Sequence, residues 1–126
     1  PRGAPTVWKD MQHGLPGTLG DAHFSGTGTL LPSSMLTLDL NDALANAPAF
    51  LILGFSTINE PFKGGVLIPA VDIFTPLTTS ASGSISVSGQ WPGAPSGSHF
   101  YSQFWIQDPA GPAGFAASNG LSGMSP

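Results

Sequence analysis

A chain of 126 residues fits one domain and can bury about two thirds of the surface that its unfolded form exposes. Only 8% of the residues are charged, the net charge is −4 and no basic cluster is present, which argues against nucleic acid and anionic lipid as partners. Because the chain has no cysteine, disulfides and thiolate metal sites are excluded.

The rest of the composition indicates a compartment. Lys and Glu are scarce, Ser, Thr and Gly are abundant, and the first residue is Pro rather than Met, so we expect a processed chain that is extracellular or on a cell surface. The longest strongly apolar run, residues 47–55, is far shorter than the ~20 residues that a membrane helix needs. We therefore expect no membrane span.

The first third of the chain reads as an irregular segment followed by two strands. Residues 1–21 are dense in Pro and Gly and permit only a short strand near residues 6–9, with Trp8 plugging one end of the core. Residues 23–30 alternate around glycines that leave room for a bulky neighbour, and residues 35–40 alternate leucine with polar side chains. Both patterns predict half-buried antiparallel strands.

The middle of the chain predicts one central strand and several edge strands. Residues 41–47 allow a loop or one helical turn before a proline, and residues 49–56 are apolar without alternation, as in a strand covered on both faces. A Lys-Gly-Gly turn at residues 63–65 then leads to short strands interrupted by Pro69 and Pro76. Prolines inside such strands indicate sheet edges.

The last third predicts a serine-rich strand and a hairpin. Residues 82–89 alternate serine with Ile and Val. Residues 99–108, HFYSQFWIQD, have an apolar row and an aromatic-amide row, and the PAGPAG stretch that follows allows residues 115–121 to return alongside.

Roughly eight or nine short antiparallel strands without significant helix predict an all-β sandwich, jelly-roll-like or Ig-like. We expect residues 1–126 to form one such domain, with an extended N-terminal segment at 1–21 and a C-terminal segment at 119–126. Either segment could dock on its own domain or on an adjacent subunit.

Several motifs together resemble a family of uncharacterised bacterial domains. The most specific are PFKGG, a Trp-Pro before the last hairpin and QFWIQDPAGPAGFAASN, and the resemblance also covers WKDMQHGLPGTLGD, FSGTGTLLP and NAPAFLILGFS. Domains of that family typically close the carboxyl end of large secreted or cell-surface proteins. The resemblance implies an extracellular β-rich accessory module, and it brings no assigned catalytic residue.

The aromatic-amide row is the main candidate for a binding site. Tyr101, Gln103, Trp105 and Gln107 would share one strand face, where rings can stack on sugars and amides can bind hydroxyl groups. The alternative is that this row is buried under a loop, such as the one that carries Trp91, or under a second sheet. Exposure of Tyr101 and Trp105 together would favour the glycan platform.

The sequence offers only weak candidates for metal sites and catalysis. Asp108, the PAGPAG carbonyls and Asn119 could surround a calcium ion, although side chains that bond to nearby backbone amides are the more ordinary interpretation. The three histidines lack close ligand spacing, and no G-x-S-x-G motif or pair of glutamates is present. We expect no cofactor and no catalytic activity.

These observations favour a structural or attachment module. Soluble proteins commonly protect sheet edges with charged side chains, which this chain hardly has. We therefore expect self-association through sheet edges or termini, as in a subunit of a fibre or surface layer, with carbohydrate binding as the alternative.

Overall fold

The computed structural model describes residues 7–125 and contains eleven strands in that range. All strand pairs are antiparallel, and no helix occurs between residues 7 and 125. The strands are β1 (Trp8–Gln12), β2 (His23–Thr27), β3 (Met35–Asn41), β4 (Pro48–Gly54), β5 (Thr57–Phe62), β6 (Gly65–Pro69), β7 (Ile73–Thr78), β8 (Ile85–Gln90), β9 (His99–Gln107), β10 (Phe115–Ala117) and β11 (Gly120–Met124).

The larger sheet has the order β1-β11-β9-β4-β7. Strand β10 lies beside the far end of β9, so β10 and β11 together form the return partner of β9, with a break between them. Strands β9 and β4 are inner strands and carry most of the bulky apolar side chains. This arrangement confirms the predicted last hairpin and the predicted central strand.

The smaller sheet, β2-β3-β8, packs over one face of the larger sheet. Leu38 and Leu40 of β3 point inward, as their alternation predicts, and Phe24 of β2 meets Phe104 of β9 edge to face at a centroid distance of 5.1 Å. These side chains form the main core, and the two sheets constitute an all-β, sandwich-like fold.

The hairpin of β5 and β6 covers part of the opposite face of the larger sheet. Its turn places Lys63 and Gly64 at φ 50° and 86°, the left-handed backbone that a two-residue hairpin turn requires. Leu67 of the hairpin packs with Ile52 and Trp105 of the sheet in a second, smaller core. Strand β9 is therefore covered on both faces.

Two differences from the sequence prediction concern strand number and the ends of the chain. Eleven strands replace the expected eight or nine, because residues 57–62 form a strand and the return partner of β9 is divided. Residues 120–124, predicted to belong to a terminal segment, lie inside the larger sheet between β1 and β9. The strand expected near residues 6–9 starts at Trp8, and residues 1–6 and 126 lie outside the described range.

No helix between residues 7 and 125 has the length and apolar character needed to cross a membrane.

Candidate functional site

Gln103, at the centre of the predicted glycan platform, is fully buried. Its side-chain oxygen accepts hydrogen bonds from the backbone N–H of Ile68 at 3.1 Å and from the indole N–H of Trp105 at 3.0 Å. Its amide nitrogen donates to the carbonyls of Val66 at 3.1 Å and Ser118 at 3.2 Å. Because both atoms of the amide are occupied, Gln103 joins the β5–β6 hairpin to β9 and has no bond left for a sugar hydroxyl.

The other three members of the row do not form a common exposed surface. Trp105 is 1% exposed and meets Phe62 of the hairpin edge to face at 5.0 Å. Tyr101 is half-buried and stacks on His99 at a ring separation of 6.0 Å, whereas Gln107 is exposed.

The prediction of an exposed platform formed by these four residues is therefore wrong. The cause is tertiary: the hairpin covers the middle of the β9 face, and alternation along one strand does not reveal what lies above it. The alternative, burial under another part of the chain, holds for Gln103 and Trp105, and their cover is the β5–β6 hairpin rather than the loop that carries Trp91.

Asp108 is a buried carboxylate that binds backbone and hydroxyl donors. Its Oδ2 accepts from the Thr18 N–H at 2.8 Å, and its Oδ1 accepts from the Thr18 hydroxyl at 2.6 Å and from the Ala110 N–H at 2.9 Å. Burial alone would raise the pKa of Asp108, but these hydrogen bonds outweigh burial and the pKa lies below its ordinary value of 3.8. The carboxylate is thus ionised at neutral pH and holds the Thr18 loop against the turn after β9.

Asn119, the other calcium candidate, has different partners. Its Oδ1 accepts from the Phe24 N–H at 2.8 Å, and its Nδ2 donates to the Phe24 carbonyl at 2.9 Å. Asp108 and Asn119 therefore bind separate backbone segments, which favours the more ordinary interpretation over the weak calcium alternative.

A polar cavity of about 270 Å³ brings two of the histidines together. Asp10, His13, Asp21 and His23 contribute to its lining, and His23 also pairs through Nδ1 with Asp42 at 2.9 Å. Across residues 7–125, no three His, Asp or Glu side chains are arranged to hold a metal ion.

The edges of the sheets provide the more informative candidate surface, and the outer edge of β2 is covered. In addition to the Asn119 amide on Phe24, the indole N–H of Trp8 donates to the Gly28 carbonyl at 2.9 Å. The Trp8 ring lies against Gly26, where any larger residue would clash with the ring. Side chains therefore occupy the positions that another strand would take, and the glycines leave room for a bulky neighbour as the sequence predicts.

The outer edge of β8, at the opposite side of the same sheet, has no comparable cover from residues 7–125. The Trp91 N–H donates to the Ser34 carbonyl at 2.7 Å, and backbone groups alternate in direction along an antiparallel strand. The backbone N–H and C=O groups of Trp91 and of every second residue before it therefore point toward β3. Those of the intervening residues point away from the sheet. The outward-facing backbone groups are those of Ser86, Ser88 and Gln90.

The two edges of the larger sheet have their own protection. The backbone N–H of Thr79 donates to the Ala47 carbonyl at 2.9 Å, so the backbone groups of Pro76, three residues earlier, point away from β4. Because proline has no N–H, Pro76 interrupts the row of donors along the outer edge of β7. Strand β1 carries the exposed charges of Lys9 and Asp10. Strand β8 has neither protection, because it lacks proline and lies within residues 73–107, which contain no Asp, Glu, Lys or Arg.

Comparisons with protein-family models, with curated proteins and with solved structures found no match. The resemblance to a family of bacterial surface domains stays a prediction.

Proposed function

We propose that this protein is a non-catalytic structural module that self-associates by pairing the outer edge of β8 with a neighbouring copy. The observation that carries the proposal is a contrast within the three-stranded sheet. Of residues 7–125, Asn119 and Trp8 cover the outer edge of β2, and none covers the outer edge of β8. Unpaired N–H and C=O groups along a strand are a template for another strand.

Two features support pairing between identical chains. Strand β8 has serine side chains toward solvent and no ionised group, so two copies can approach edge to edge without repulsion between like charges. Antiparallel pairing of β8 with itself would also extend the three-stranded sheet across a two-fold axis, the commonest symmetry of homo-oligomers.

An extracellular or cell-surface location is part of the same proposal. Low charge and abundant Ser, Thr and Gly are the sequence features that support it. Two-fold pairing through one edge gives a closed dimer, so growth of that dimer into a fibre or surface layer needs a second contact. The glycan alternative has less support, because the ring and amide at the centre of its platform are buried.

The test places one lysine on each edge of the small sheet. Ser86→Lys puts a positive charge on β8, and Ser25→Lys puts the same charge on the exposed face of β2, so both variants change the net charge from −4 to about −3. Light scattering after size exclusion, over a dilution series, reports the average mass of each protein.

We expect the mass of the unmodified chain and of Ser25→Lys to rise with concentration and that of Ser86→Lys to stay at one chain. A chain that is monomeric at every concentration contradicts the proposal. Equal behaviour of the two lysine variants contradicts the assignment to β8. If both stay monomeric, net charge alone has the effect, and if both associate, the interface lies elsewhere.

A further inference from the structure

An aromatic pocket of about 170 Å³ opens on the outer face of the larger sheet, beside the β5–β6 hairpin. Strands β4, β7 and β9 of the sheet, the β5–β6 hairpin and strand β10 each contribute to its lining. The apolar lining consists of Phe50, Ile52, Phe62, Phe74, Trp105 and Phe115.

Contacts between the rings hold this pocket in shape. Phe50 stacks on Phe74 with centroids 5.2 Å apart and planes at 17°, and Phe62 meets Trp105 edge to face at 5.0 Å. Trp105 is fixed in turn by its hydrogen bond to the buried Gln103. These contacts preform the walls of the pocket, so binding needs little reorganisation of them.

Lys63 gives the pocket a positively charged rim. Its ammonium lies 4.7 Å from the ring centroid of Phe115 and 5.2 Å from that of Phe62. Between residues 7 and 125, the one basic nitrogen within 4.0 Å of a carboxylate oxygen is that of His23 beside Asp42, so no carboxylate of that range pairs with Lys63. A cation held over two rings is available to an anion from outside.

We propose that the aromatic pocket binds a small carboxylic acid that carries a single aromatic ring. An apolar cavity of about 150 Å³ is known to hold benzene, so a volume of about 170 Å³ matches one ring. The surrounding rings offer stacked and edge-to-face contacts, and the Lys63 ammonium pairs with the carboxylate at the mouth. This inference does not depend on edge pairing by β8, because the pocket lies on the other sheet.

Phenylacetate is a suitable probe, and phenylacetamide is its uncharged counterpart of the same shape. The chain has three tryptophans, so a nitrogen-proton correlation spectrum contains three indole signals, which Trp8→Phe and Trp91→Phe assign by elimination. We expect phenylacetate to shift the Trp105 indole signal saturably at millimolar concentration, and the Trp8 and Trp91 signals to stay in place.

Charge variants separate the carboxylate contact from the ring contact. Lys63→Met should weaken phenylacetate binding about fivefold and leave the weaker binding of phenylacetamide unchanged, whereas Lys63→Arg and the distant control Lys9→Met should bind phenylacetate as the unmodified chain does.

Three results overturn the inference: no saturable shift of the Trp105 signal, equal affinity for the acid and the amide, or a Trp105 shift that appears on raising the protein concentration without ligand. The last result would mean that a second copy fills the pocket. Because loss of self-association in Ser86→Lys is measured separately by mass, either proposal can fail without the other.

Discussion

The two edges of the three-stranded sheet differ in what lies beyond their outer strands. Beyond β2, one asparagine amide reproduces the hydrogen bonds of a neighbouring strand and one indole fills the next position. Beyond β8, the described chain places no strand, and β8 itself carries no charged side chain. An edge with few charges can therefore still be covered by side chains that come from a distant part of the same chain.

The strongest way to break this contrast is Asn119→Leu. The change leaves the Phe24 N–H and C=O without partners at a partly buried position, so we expect the free energy of unfolding to fall by about 3 kcal/mol. Urea unfolding followed by tryptophan fluorescence measures it. Asn119→Asp retains the acceptor but not the donor. Its free energy of unfolding should therefore lie between those of the unmodified chain and of Asn119→Leu.

The same variant also tests whether the cover prevents pairing at β2. In a Ser86→Lys background, Asn119→Leu should restore concentration-dependent association, because it opens the edge that Asn119 had closed. A double variant that stays monomeric while folded would show that the amide stabilises the fold without acting as a cover.

A change away from both edges separates stability from association. Asp108→Asn retains fewer acceptor sites for the three donors from Thr18 and Ala110. We therefore expect the free energy of unfolding to fall by about 2 kcal/mol at pH 7. The average mass by light scattering should not change.

The effect of Asp108 should depend on pH in a defined direction. Because its pKa is lower in the folded chain than the ordinary 3.8, its contribution is complete above that value and is lost as the pH falls through the folded pKa. Unfolding curves of the two proteins should therefore converge in acid. Curves that differ equally at pH 7 and pH 2 would assign the loss to packing.

The smallest expected effect comes from Ser102, on the core face of β9. Its hydroxyl is buried and has no hydrogen-bond partner in the structure, so Ser102→Ala should stabilise the chain by about 0.5–1 kcal/mol. Thermal unfolding by circular dichroism would register the gain. A loss of stability would show that the hydroxyl has a partner, such as an ordered water, and association should again be unaffected.

Much of the fold could be predicted because periodicity is a local property. The alternation of leucines predicted β3, and the continuous apolar run predicted β4. The prolines in the short strands β6 and β7 indicated sheet edges, and most of the predicted strand boundaries are confirmed within one or two residues. Strand β5 was missed, because its sequence TINEPF contains Pro61 and its six residues are exposed, so it carries no clear alternation.

The candidate sites were less predictable, because they depend on residues that are far apart in the sequence. Burial of Gln103 and Trp105 depends on the hairpin, and the aromatic pocket unites Phe50, Phe74 and Phe115 from separate strands. Isolated phenylalanines are ordinary core residues in a sequence, and nothing in their spacing indicates that they surround one cavity.

The sequence by itself determined that this chain is an all-β protein with few charges and a strand pattern suited to packed sheets, because side-chain alternation and turn residues act over short distances. Only the tertiary structure decided which strand edge is covered, which face of β9 is buried and where the rings gather. Those properties arise from contacts between segments up to 95 residues apart, such as Asn119 with Phe24, which no local pattern encodes.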